Sequence, residues 1–239
     1  MYISFIIKIL SFFDYFKKKD VIKFFKKNLK NDINIFIDVG AHHGETIKLF
    51  SKNFNIRNLY AFEASYNNFV VLQKKTHNLK NTNLEIFNYG IGEKEGLFDF
   101  NQSIETQSST LVSINYNSIY YKKKIKFLDF FKKNNSFFSS IKVEIKTLSN
   151  FLNNKKIQYV DILKIDTEGY DFNVIKSLGS NIKNINYIYF EHHFHDMLNK
   201  DYNLTQLHNF LIKNGFKKVF KTKMFYRKTF EYIYKNIKI

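Results

Sequence analysis

From Ile33 onward the chain alternates between two kinds of segment. Short apolar runs of strand type each end in a polar residue: Ile35-Phe36-Ile37 before Asp38, Leu59-Tyr60-Ala61-Phe62 before Glu63, Leu84-Glu85-Ile86-Phe87 before Asn88, Ile162-Leu163-Lys164-Ile165 before Asp166, and Tyr187-Ile188-Tyr189-Phe190 before Glu191. Stretches of helical spacing lie between several of these, at 45–54, 66–77 and 172–178. Such alternation predicts an α/β fold, a parallel sheet with helices on both faces. Residues 204–213 read as a helix stopped by Gly215. Residues 216–221 and 230–234 then read as two strands with no helix between them, an antiparallel closing hairpin. Residues 103–140 have no clear period and read as an insertion over one end of the sheet.

Residues 1–16 are mostly apolar but interrupted by Lys8 and Asp14, too short and too broken for a membrane span. They also lack the basic start and small-residue cleavage site of a signal peptide. Followed by Lys17, Lys18 and Lys19, they suit either an interfacial helix or a helix on the domain's own sheet, and the second is the simpler reading. Residues 1–32 are thus a helical extension to one domain of 33–239, which fits the length of 239 residues. The expectation is cytoplasmic placement, with peripheral membrane contact through the basic ends as an option.

Charge changes this picture only in part. Lys and Arg number 38 against 21 acids, a net of +17. The excess concentrates in residues 1–30, with eight Lys and two Asp, and in residues 213–239, with nine Lys or Arg and one Glu. A nucleic-acid enzyme more often lines its central cleft with charge, so nucleic acid is not the expected partner. A bias to Lys, Asn, Ile, Phe and Tyr with no proline is that of an AT-rich genome, in which lysine is the default solvated residue. The absence of cysteine excludes disulfides and thiolate metal sites.

In open parallel sheets, ligands bind outside the carboxyl ends of the strands, so Asp38, Glu63, Asn88, Asp166 and Glu191 are candidates to converge. The first turn runs Asp38-Val39-Gly40-Ala41-His42-His43-Gly44-Glu45. A dinucleotide turn wants a G-x-G-x-x-G spacing for its pyrophosphate. Here His42 occupies the second glycine position, and Glu45 would repel a phosphate. The loop better suits a ligand without phosphate, such as S-adenosylmethionine. Glu63, 23 residues beyond Gly40, is placed to accept ribose hydroxyls.

These residues resemble the FkbM family of methyltransferases. The resemblance lies in Phe36-Ile37-Asp38-Val39-Gly40-Ala41 with Gly44, in Ala61-Phe62-Glu63, in Thr147-Leu148, in Lys164-Ile165-Asp166-Thr167-Glu168-Gly169, and in Tyr189-Phe190-Glu191-His192. The family usually has Asn at His42, Pro at Ala64 and Asp at Ser149. The resemblance implies a Rossmann-like class I methyltransferase: a seven-stranded, mostly parallel sheet whose last strand is antiparallel. It implies S-adenosylmethionine held by Asp38, Gly40, Gly44, Glu63 and Asn88, with His42 and Ala64, at two of the departing positions, as further candidates. The implied reaction is O-methylation of a small molecule or glycan, such as a surface polysaccharide sugar.

A hydroxyl is a poor nucleophile at neutral pH, so a base or a metal should help. Asp166, Glu191 and His192 are the catalytic candidates, with Asp166 or His192 as general base. The alternative is a Mg²⁺ ion on Asp166, Glu191 and a histidine. Proline-containing amino-methylation motifs of the N-P-P-Y type are impossible in this chain. RNA O-methylation and a non-catalytic binding module remain the rival functions.

Overall fold

The computed structural model describes residues 18–79, 82–104, 106–129, 137–224 and 228–239. The apolar segment 1–16 lies outside these residues. No helix among them is long and apolar enough to cross a membrane.

The strands are β1 (Asp32–Val39), β2 (Asn55–Phe62), β3 (Asn83–Phe87), β4 (Gly90–Ile91), β5 (Gly96–Ser103), β6 (Phe138–Lys146), β7 (Val160–Ile165), β8 (Ile185–His193), β9 (Phe216–Lys223) and β10 (Thr229–Asn236). Seven of them form one sheet in the order β3-β2-β1-β7-β8-β10-β9. Pairings from β3 to β8 are parallel, and β10 runs antiparallel to both β8 and β9. The helices are α1 (residues 18–29), α2 (Glu45–Asn53), α3 (Tyr66–Thr76), α4 (Ile119–Asp129), α5 (Leu148–Asn154), α6 (Asp171–Lys176) and α7 (Leu204–Lys213). This is the Rossmann-like methyltransferase arrangement, with its last strand antiparallel.

The central strands are buried on both faces, which is why they read as continuous apolar runs. Alternate residues feed two cores. Ile37, Val39, Leu163, Ile165, Ile188 and Phe190 meet α5, α6 and α7 on one face. Phe36, Ala61, Ile162, Tyr187 and Tyr189 meet α1 and α2 on the other. On α1, Val21, Ile22 and Phe25 are buried while Lys19, Lys23, Lys26 and Lys27 face solvent. Phe25 packs edge-on against Phe50, Tyr187 and Tyr189.

The segment without a period is bracketed by regular structure. β5 and β6 flank it as antiparallel partners, and with β4 they make a second, three-stranded sheet. Loop residues 106–111 fold back towards the C-terminal edge of the main sheet, where Thr110 donates its hydroxyl to the carbonyl of Glu168 at 2.8 Å.

Candidate active site

Two cavities open at the carboxyl ends of β1, β2, β7 and β8. The narrow one, about 70 Å³, is lined by Gly40, His42, Glu63 and Ala64, with Phe62, Ile91, Phe100 and Leu111 as apolar walls. The wider one, about 450 Å³, is lined by Lys18 of α1, residues of α2, and Lys164, Asp166, Glu168 and Glu191. Gly40, His42, Gln107, Asp166 and Glu168 line both.

Glu63 organises the narrow cavity. Its Oε2 accepts from the His42 backbone N–H at 2.8 Å, and its Oε1 accepts from the Ser65 N–H at 3.0 Å. Burial pushes its carboxyl above the ordinary range, and these N–H groups pull it back. The turn above it is strained. His42, Thr106 and Glu168 all have positive φ without being glycine, and all three line this cavity. Such strain gathers where a ligand-binding loop is over-determined by its surroundings. Thr106, Gln107, Ser109 and Leu111 of loop 106–111 line the slot. One side-chain contact, His42 Nε2 to Thr106 Oγ1 at 2.7 Å, ties that loop across the slot.

The expected cofactor residues divide into two groups. Gly40, His42, Glu63 and Ala64 line the narrow cavity. Asp38, Gly44 and Asn88 line neither cavity. Asp38 is fully buried beneath the floor, with Lys164 Nζ 3.0 Å from its Oδ1. Asn88 spends its amide on the carbonyls of Glu63 and Ala64, at 2.9 and 3.3 Å. Gly44 begins α2, where a Cβ would strike Thr76 and Leu72. These three shape the site from behind.

On the side of the wider cavity, strand alternation separates two neighbouring histidines. Glu191 and His193 point with Asp166 toward the wider cavity side, whereas His192 turns to the opposite face, against Phe194 and Tyr202. Burial holds His192 down to about 3, so it is neutral and a weak proton acceptor. It lines neither cavity. His193 takes the place expected of it: its Nε2 is 3.4 Å from Glu168 Oε2 and 3.7 Å from Glu191 Oε1.

Sequence reasoning did not single out four further contributors. Lys18 reaches the wider cavity from α1. Thr106 and Gln107 close the narrow one from the aperiodic segment. Asp171, at the start of α6, holds the Thr167 turn by accepting from its N–H at 3.0 Å and its hydroxyl at 2.9 Å. The first residue of a short apolar helix offers no sequence signal for that role.

Asp171 makes a pH prediction. Burial raises its carboxyl to about 6, against the partial opposition of the Thr167 N–H. The folded state therefore holds this proton more tightly than the unfolded chain, whose aspartate titrates near ~4. Its stabilising contribution is complete below about pH 4 and is lost as pH rises through about 6, about 3 kcal/mol in all. Urea titrations at pH 4.5 and pH 7 should show the wild type losing more stability across this interval than Asp171→Asn. Parallel profiles would show that Asp171 titrates normally.

A family model, "Methyltransferase FkbM domain", matches residues 38–218. The chain belongs to the FkbM methyltransferase family. It is an S-adenosylmethionine-dependent methyltransferase. No curated protein matches it by sequence. Solved structures share the fold of this FkbM enzyme at low identity. One is TrmK of M. capricolum in complex with S-adenosylhomocysteine, 8% identical, covering 90% of this chain and 67% of that one at a TM-score of 0.51. Another is the magnesium protoporphyrin IX methyltransferase ChlM of Synechocystis PCC 6803 with bound S-adenosylmethionine, 8% identical, covering 91% and 77% at 0.51. An rRNA methylase from Streptococcus thermophilus is 9% identical over 90% and 93%, at 0.47.

The residues present fit the cofactor. A buried carboxylate suits two ribose hydroxyls, the Phe62, Ile91 and Leu111 walls suit a purine, and Gly40 lets backbone approach the ligand closely. Acidic groups at the junction of the two cavities suit a sulfonium cation.

Proposed function

We propose that this FkbM enzyme methylates a hydroxyl oxygen of a glycan or small molecule, with the cofactor in the narrow cavity and the acceptor in the wider one. The observation that carries this reading is the shared wall. A ligand anchored on Glu63 reaches the wider cavity past Gly40, Asp166 and Glu168, which belong to both.

S-adenosylmethionine, when bound, supplies an activated methyl carbon whose C–S bond breaks as the new O–C bond forms. On this reading Gly40, His42, Glu63 and Ala64 hold the nucleoside, with Asp38, Gly44 and Asn88 supporting them. Asp166 and Glu191 orient the acceptor hydroxyl, and an oxygen of Asp166 receives its proton. Alignment across a shared wall supplies several kcal/mol of the acceleration. His192 has no part in this, because its ring lies on the other face of β8.

Calorimetric titration with S-adenosylmethionine and S-adenosylhomocysteine tests the cofactor half. Binding to the wild type should weaken at least tenfold in Glu63→Ala, about 1.4 kcal/mol or more, since the variant loses both the carboxylate and the anchor of the His42 turn. Unchanged affinity would remove Glu63 from the site. For the acceptor half, tritiated cofactor with glycan and RNA fractions decides between classes. RNA as acceptor predicts label that is ribonuclease-sensitive and binding that falls steeply with salt.

A further inference from the structure

We propose that Asp166, Glu191 and His193 bind a divalent first-row metal ion at the junction of the two cavities. Asp166 follows β7, and Glu191 and His193 stand two residues apart on the adjacent strand β8, so one face of the sheet carries all three. Their ligand atoms all lie within 4.8 Å of one another.

Three further features favour a cation over a simple ion-pair cluster. First, His193 is oriented from behind. Its Nδ1 lies 3.1 Å from Thr229 Oγ1, both residues being buried, which directs Nε2 at the carboxylates. Metal-ligating histidines are held in this way through the nitrogen that does not bind the metal. Second, the spacings suit coordination. Within the set, Nε2 lies 3.7 Å from Glu191 Oε1. That distance exceeds a good N–H···O bond and is near the ~3.4 Å that separates donors around a tetrahedral ion with bonds of ~2.1 Å. Third, Asp166 is the one half-exposed member, so its carboxylate can swing to close the set. Lys164 Nζ lies 3.5 Å from Asp166 Oδ2 but closer to Asp38, at 3.0 Å.

The donor chemistry selects the ion. An imidazole with carboxylates suits Mn²⁺ and its heavier neighbours better than Mg²⁺, which prefers an all-oxygen shell. Given the hydroxyl-acceptor reading, on which this part rests, the ion lowers the acceptor's pKa and fixes its oxygen beside the shared wall. The second oxygen of Asp166 still takes the proton.

The probe is Mn²⁺, followed by the electron paramagnetic resonance of the free ion on chelator-treated full-length protein. One Mn²⁺ per chain is expected, with affinity at least tenfold weaker in Glu191→Gln and His193→Ala and unchanged in His192→Ala. Glu191→Gln is nearly isosteric and guards against a fold defect in His193→Ala. S-adenosylhomocysteine affinity, measured on the same samples, reads the cofactor site separately. No Mn²⁺ uptake with that affinity intact overturns the metal alone, as does uptake indifferent to Glu191→Gln. Absence of S-adenosylhomocysteine binding in untreated protein would instead overturn the proposed cofactor site.

Discussion

Lys164→Met is expected to destabilise the enzyme by about 3–5 kcal/mol, the usual cost of removing one partner from a buried ion pair. Lys164 lies inside the central strand β7 with a side chain only 6% exposed, and it faces the fully buried Asp38 at 3.0 Å. Its ammonium also donates to the Gly40 carbonyl at 3.3 Å. Burial alone would lower the pKa of this lysine, but the carboxylates of Asp38 and Asp166 outweigh it and hold the group charged. Burial raises the Asp38 carboxyl, and Lys164 is what offsets it. Methionine fills similar volume without the charge, so Asp38 must then take a proton or remain ionised with no counter-charge. The double variant Asp38→Asn/Lys164→Met should regain part of the loss, because it removes both charges. Urea unfolding at pH 7 measures both. A loss below about 1 kcal/mol in the single variant would mean that Asp38 is neutral in the native protein.

The same pair shows how far the sequence could be read. Lysine between Leu163 and Ile165 is an anomaly in an apolar run, and the sequence leaves its partner open between acids such as Asp161 and Glu191. The partner is instead Asp38, which the β1–β7 register places opposite Lys164. Strand periodicity revealed that these residues share a sheet, but not which strands are neighbours. Sequence order gives no local signal that β1 and β7 are adjacent. The histidine run failed for a related reason. Proximity to the strand end favoured His192, but β8 continues through His193, and alternation then sends the two rings to opposite faces. The glycine turn was legible because backbone geometry demands it, and the strand-end acids because parallel strands bring their carboxyl ends to one edge of the sheet. The loop that lines the narrow cavity was not, since Thr106 and Gln107 reach it through tertiary folding of a segment with no period of its own.

Gly40→Ala is expected to cost about 3–4 kcal/mol, the sum of overpacking and backbone strain, and to abolish cofactor binding. Gly40 has φ of +79°, and an added Cβ would lie 2.0 Å from the Asp166 carbonyl oxygen. That oxygen belongs to backbone, not to a side chain that can swing aside. Nor can the backbone retreat cheaply. The Gly40 N–H donates to the Phe62 carbonyl at 3.0 Å, and the Asp166 N–H donates to the Val39 carbonyl at 2.9 Å. β1, β2 and β7 are thus stitched together at the very point where the methyl group would sit above the floor. Spreading them to admit a methyl side chain displaces Asp166 from the junction and tilts the turn that carries His42. Gly215→Ala is the matching control. It shares a left-handed φ, +89°, but its added Cβ meets only the flexible end of Lys238, so about 1 kcal/mol is expected there. Thermal unfolding compares the two variants, and titration with S-adenosylhomocysteine reads the site. If Gly40→Ala were no less stable than Gly215→Ala, the close approach of β1 to β7 would not be a constraint on this fold. If it unfolded less readily than expected yet bound no cofactor, the glycine would serve the ligand and not the sheet.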